Sequence, residues 1–116
     1  MTKDPLVYID HILNCIQKIK TYTTDFDEAK FLQDNLTQDA VIRNFEIIGE
    51  ATKQLSPDFK EKYNKIEWKK IAGMRDKLIH DYIGVDLWAV WGVVEEIIPT
   101  FEQQILNIIK VEKNLK

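Results

Sequence analysis

Apolar residues recur along the chain at helical spacing, and strict alternation is almost absent. Leu6, Ile9, Leu13 and Ile16 step by three, four and three, and Ile12, Cys15 and Ile19 widen the stripe. Asp4 and Pro5 suit an N-cap and a first helical position, so a helix is expected from there to about Tyr22. A short helical piece follows around Asp27 to Gln33. Thr37 reads as the cap of a longer helix with the stripe Val41, Phe45, Ile48, Ala51 and Leu55. Ser56 and Pro57 close it and start a turn or two to Tyr63. From Trp68 the stripe resumes as Ile71, Ala72, Arg75, Leu78, Ile79 and Tyr82, and Gly84 offers a left-handed residue to end that helix. Asp86 caps the last helix, whose seam is Leu87, Trp91, Val94, Ile98, Phe101, Ile105 and Ile108. Pro99 removes the hydrogen bond to the Glu95 carbonyl, so a bend is expected there.

These elements predict an all-α protein, an up-and-down bundle of four main helices plus one or two short ones. The 116 residues fit one domain, 1–116, with no linker or repeat. A composition of 45% hydrophobic and 30% charged residues excludes disorder, and a chain of this length buries roughly two-thirds of its extended surface. One cysteine, Cys15, and two histidines, His11 and His80, cannot make a disulfide or a zinc site. The most apolar stretch, Ile83 to Ile98, is broken by Asp86, Glu95 and Glu96 and is too short to span a bilayer. Met1 to Pro5 is polar and the first apolar positions are spaced by charged residues, so no signal peptide is expected. A soluble, cytoplasmic protein without a membrane partner is expected.

Formal net charge is −3, yet Lys60 to Lys77 is locally basic: Lys60, Lys62, Lys65, Lys69, Lys70, Arg75 and Lys77 face only Glu61, Glu67 and Asp76. Such a stretch is either a solvated helix face or a local guide for a polyanion.

The informative segment is Gly73-Met74-Arg75-Asp76-Lys77-Leu78-Ile79-His80-Asp81-Tyr82. With two arginines, two histidines and four tyrosines in the chain, chance placement of Arg, four residues, His, one residue, Tyr is about one in a thousand. On a helix Arg75 and Tyr82 would share a face and Asp76 and His80 the adjacent one, a compact polar surface. Arginine offers a planar fork for phosphate oxygens, and histidine exchanges a proton near neutral pH. Together they suffice for metal-independent RNA cleavage by the 2′-hydroxyl, with Asp76 orienting His80 and Tyr82 donating to a phosphate oxygen. The same residues also fit a structural role: a histidine at a helix C-terminus, and Arg75 paired with a core carboxylate such as Glu50.

The segment resembles the HEPN superfamily, specifically its HepT-like toxins, whose hallmark is Arg, four to six residues, His. Arg75, Asp76 and His80 fit, and Tyr82 completes the HepT form. Ala40-Val41-Ile42-Arg43, Ile48-Gly49-Glu50-Ala51, Trp68 seven residues before Arg75, Val85-Asp86, Trp91 and Ile98-Pro99 extend the likeness over roughly residues 5 to 108. The resemblance implies a helical dimer whose two copies of Arg75 and His80 line one cleft. It implies a metal-independent RNase toxin of a type VII-like toxin–antitoxin system, with transfer RNA among the substrates it suggests. It also implies a minimal nucleotidyltransferase antitoxin, MntA, that transfers AMP to the tyrosine matching Tyr82. Catalytic Arg75 and His80, supporting Asp76 and Tyr82, and no metal or cofactor are therefore expected. The alternative is a non-catalytic helical module that docks a nucleotidyltransferase.

Other residues read as structural. His11 is expected at a surface or interface, Gly49 at a close helix contact, and Glu50 as a partner of Arg43 or Arg75. Trp68, Trp88 and Trp91 are expected as core or interface anchors. Asp76, Asp81 and Asp86 scatter around a helix end and do not make a magnesium site.

Overall fold

A computed structural model describes residues 4–74, 76, 79–80 and 84–115. Its elements are α1 (Pro5–Tyr22), α2 (Glu28–Gln33), α3 (Asn35–Lys53), α4 (Pro57–Lys62), α5 (Trp68–Ala72), β1 (Ile79–His80), β2 (Gly84–Val85), α6 (Leu87–Gly92), a π-helical segment (Val93–Ile97) and α7 (Ile98–Asn114). The protein is all-α in class, and among the described residues the only extended pairing is the two-residue antiparallel ladder β1–β2.

Local chemistry explains most boundaries. Asp4 caps α1 by accepting from the Leu6 N–H, and Pro5 occupies the first turn, where its missing donor costs nothing. Asp27 caps α2 through the Lys30 N–H, and Ser56 caps α4 through the Phe59 N–H. Asp86 caps α6 through the Ala89 N–H, as its position suggested. The cap of α3 is Asp34, not Thr37: the Asp34 carboxylate accepts from the Thr37 N–H at 3.0 Å. That moves the start of α3 into a polar turn whose Leu36 is exposed and therefore adds nothing to the hydrophobic stripe.

The core lies where α1 meets α3 and α7. Ile9, Ile12, Ile16 and Ile19 from α1 bury against Val41, Phe45 and Ile48 from α3 and Ile98, Phe101, Ile105 and Ile108 from α7. Each fully buried large aliphatic or aromatic side chain contributes roughly 1.5–3 kcal/mol against exposure, so these three stripes carry the fold. Phe31 of α2 packs against Trp91 of α6 with ring centroids 5.3 Å apart, pinning the short helix to the bundle. Trp68 of α5 meets Phe101 edge-on, and its indole N–H donates to the Tyr63 carbonyl. Two polar staples tie the ends together. Lys20 Nζ lies 2.7 Å from Glu102 Oε1, and Glu112 of α7 accepts from both Lys62 and the Tyr63 hydroxyl at the end of α4.

Two expectations are corrected. The helix expected from Trp68 to Tyr82 and Gly84 is broken and shorter: α5 ends at Ala72 with Gly73 as its C-cap, Met74 and Asp76 are again helical, and His80 is extended and paired with Gly84. Glycine is a poor helix residue, and β-branched Ile79 and Val85, which stand opposite each other in the ladder, favour extended backbone. The bundle therefore has long helices α1 and α3 and the long run Leu87–Asn114, with α5 a short fourth member. The irregularity at Pro99 takes the form of a π segment just upstream, where the Ile98 N–H reaches back five residues to the Val93 carbonyl. A widened turn before a proline is one of the recognised ways a long helix accommodates it.

Candidate functional site

The segment bearing the arginine–histidine pattern leaves α5 at the end that packs on α3. Gly49 makes that packing close: a Cβ placed on it would stand 3.2 Å from the Ala72 carbonyl oxygen. The expectation for Gly49 holds, and a polar cleft lies beside that contact. Arg43, Glu46, Glu50 and Lys53 of α3 line a cavity of about 390 Å³ with Ala72 and Asp76 across from them. These α3 residues lie seven and ten apart, so they share the helix face turned away from the core.

Asp76 is exposed and borders this cavity. Arg75 and Tyr82 lie outside the described residues, as do Lys77, Leu78 and residues 81–83. The expected sharing of one helix face by Asp76 and His80 is corrected, because Asp76 is helical whereas His80 belongs to the extended ladder. What remains is the placement of the motif's acidic member at the mouth of a polar cleft between α3 and α5.

Glu50 is not a core carboxylate. Its side chain is 73% exposed and sits 3.6 Å from Lys53, one turn along α3, an arrangement that contributes little to stability. Asp86 spends its carboxylate on the α6 cap. His11 is on the surface. Cys15 is buried, and burial pushes its thiol up from the usual range, which keeps it from acting as a nucleophile. Of the three tryptophans, Trp68 and Trp91 are core, whereas Trp88 is 65% exposed. Ile97 is also exposed, at the rim of an apolar groove of about 490 Å³ floored by Ile66, Ile71, Met74, Val93 and Phe101.

Sequence reasoning passed over the polar face of α3: Arg43 and Glu50 entered it only as part of a familiar pattern or as structural partners. The signal was available, since Arg43, Glu46, Glu50 and Lys53 keep the helical period on the side opposite Phe45 and Ile48.

A family model described as ribonuclease HepT-like matches residues 12–108. The chain belongs to this HepT-like family. A Methanocaldococcus jannaschii protein named "gamma-glutamylcyclotransferase and putative RNase" is 50% identical over 115 residues, which is 98% of this chain. The chain spans about half of that relative, 52% of its length. A Caldanaerobacter subterraneus protein named "putative RNase" is 40% identical, covering 96% of this chain and 99% of its own. A Thermococcus cleftensis protein named "probable ribonuclease HepT" is 45% identical over 95 residues, 82% of this chain and 86% of its own. No solved structure matches the chain. Among the described residues of this HepT-like protein, no helix is long and apolar enough to cross a membrane.

Proposed function

We propose that this HepT-like protein is a metal-independent endoribonuclease toxin with Arg75 and His80 as its catalytic residues. The reading is carried by one observation: a HepT-like family match from residue 12 to residue 108, a span that contains Arg75, His80 and Tyr82. In the reaction, His80 takes the proton of a substrate 2′-hydroxyl, and the freed oxygen attacks the adjacent phosphorus. The bond to the 5′-oxygen breaks, a protonated group returns a proton to that oxygen, and the products carry a 2′,3′-cyclic phosphate and a 5′-hydroxyl. The Arg75 guanidinium holds the phosphate oxygens as charge builds on them, with two parallel N–H donors that lysine cannot reproduce. Asp76, at the mouth of the cleft, and Tyr82 support the pair.

The acting species in this reading is a homodimer in which two Arg75–His80 sets line one groove. It is supported by the exposed apolar side chains of Trp88 and Ile97 and by the apolar groove that Ile97 borders. Control is by a partner nucleotidyltransferase that transfers AMP from ATP to the Tyr82 hydroxyl. The added phosphodiester competes with RNA for Arg75, and the nucleoside blocks the groove. The substrate is RNA, with transfer RNA as the first to try.

The decisive experiment is cleavage of transfer RNA by purified protein in excess chelator, with product ends read by mass spectrometry. Cyclic phosphate ends, lost in Arg75→Ala and His80→Ala, are expected. A folded protein that leaves RNA intact, yet is modified by a co-expressed nucleotidyltransferase, would favour a docking module instead. For the modification, the intact mass should rise by one or more AMP units with that partner, and Tyr82→Phe should abolish the rise.

A further inference from the structure

The chain has fourteen lysines and only two arginines, Arg43 and Arg75. One lines the cleft between α3 and α5; the other directly precedes Asp76, which lines the same cleft. Arg43 stands on α3 with its side chain exposed, and among the described residues it enters no ion pair or hydrogen bond, although Glu46 and Glu50 follow it on the same helix face. Lys53 closes the other end of the cleft, ten residues on, roughly 15 Å along the helix axis. The cleft thus presents a fork-shaped cation at one rim, a point-charge cation at the other and carboxylates between them.

We propose that this cleft seats a single-stranded stretch of the RNA next to the scissile phosphate, with Arg43 as a positioning residue that grips a backbone phosphate. The inference rests on the ribonuclease reading and adds a residue to it. Two features favour a nucleotide strand over a loose polyanion. Arginine instead of lysine at the rim matches the two oxygens of a phosphodiester. The exposed Glu50 carboxylate repels phosphate from the cleft wall but accepts from the exocyclic amino and ring N–H groups of bases, which favours a strand with its bases inward and its backbone at the rim.

The test combines binding and turnover. Anisotropy of a fluorescein-labelled, mixed-sequence 2′-O-methyl oligoribonucleotide, which the 2′-hydroxyl mechanism cannot cut, is measured from low to high salt. Wild type, Arg43→Gln, Arg43→Lys and Lys69→Gln are compared, with Lys69 serving as an exposed cation of α5 outside the cleft. Cleavage of the unmodified oligonucleotide gives KM and kcat for each. Arg43→Gln should bind about tenfold more weakly, as expected for one charge-assisted contact, and its salt slope should fall by about 0.7. KM should rise while kcat changes little, Arg43→Lys should keep the slope but recover only part of the affinity, and Lys69→Gln should match wild type. If wild type cuts RNA and Arg43→Gln retains its affinity, slope and KM, the inference fails while the ribonuclease reading stands. If wild type neither binds nor cuts, both fall. A changed melting temperature in Arg43→Gln together with wild-type behaviour of Arg43→Lys, slope and affinity alike, would make Arg43 structural and overturn the inference.

Discussion

Gly49 and Ala72 approach so closely that a methyl group on the first would stand 3.2 Å from the carbonyl oxygen of the second. The obstacle is backbone, and it belongs to a short helix held by buried Trp68 and Ile71. In Gly49→Ala, the gain in helix propensity of about 1 kcal/mol and the cost of separating the helices oppose each other, leaving a small net change. Gly49→Val adds two more carbons and a β-branch to the same contact. It should lose about 1–3 kcal/mol, read from the urea midpoint, and should also weaken RNA cleavage by moving α5. A valine variant as stable as wild type would show that the two helices are free to separate.

Lys20 and Glu102 join α1 to α7 with unequal exposure, 53% for the lysine and 10% for the carboxylate. Removing the lysine leaves the more buried partner uncompensated. Lys20→Ala should cost about 1–2 kcal/mol, whereas Lys20→Met combined with Glu102→Leu should recover most of it. A double-mutant cycle from denaturation curves checks the pair.

The second staple sets a pH dependence. The hydrogen bond from Lys62, followed by that from the Tyr63 hydroxyl, holds Glu112 below the usual carboxylate range. A carboxylate whose acidity is strengthened by folding contributes stability above its unfolded pKa and loses that contribution as pH falls through its folded value. Thermal unfolding should therefore show an acid-side loss that Glu112→Gln flattens. Burial, then the bond to Glu112, raises the Tyr63 phenol above its ordinary value, so its own contribution is present at neutral pH and is lost only in strong alkali. Identical acid profiles for wild type and Glu112→Gln would remove this staple from the stability of the fold.

Trp88 is the most exposed aromatic side chain among the described residues, at 65%. Light scattering of the wild type should give about twice the 13.7 kDa chain mass, and Trp88→Glu should return it to the single-chain value without lowering helix content. Loss of cleavage in that monomer would support a composite groove. A wild type that stays monomeric at micromolar concentration would end the dimer reading.

Arg75→Ala and His80→Ala should each lower cleavage by at least a hundredfold with little change in melting temperature, and Arg75→Lys should rescue poorly. If Arg75→Ala melts the protein while His80→Ala stays active, Arg75 is a structural ion-pair residue.

The core was readable because its signal is redundant. Val41, Phe45 and Ile48, like Ile98, Phe101 and Ile105, repeat one spacing over several turns, and all six are buried. Caps were readable where one candidate stood alone, as at Asp4 and Asp86, and misread where Asp34 and Thr37 competed within one turn. The segment after Trp68 failed for a different reason. Its apolar residues fit a helical period, but β-branched residues serve two periods, and the choice fell to pairing of Ile79 with Val85 six residues on, which a helical period does not register. The cleft of Arg43 and Glu50 was hidden because polar residues on a helix face carry no mark of what stands opposite them.

In a regular helix one extra residue turns everything beyond it by about 100° around the axis. The π turn at Val93–Ile97 takes up that residue, so Val90 and Trp91 before it and Ile98, Phe101 and Ile105 after it are all buried. It works as a clutch: the run from Leu87 to Asn114 carries one residue more than a straight helix of the same bearing. Removing a single residue between 93 and 97 should therefore close the turn to regular helix without rotating either end.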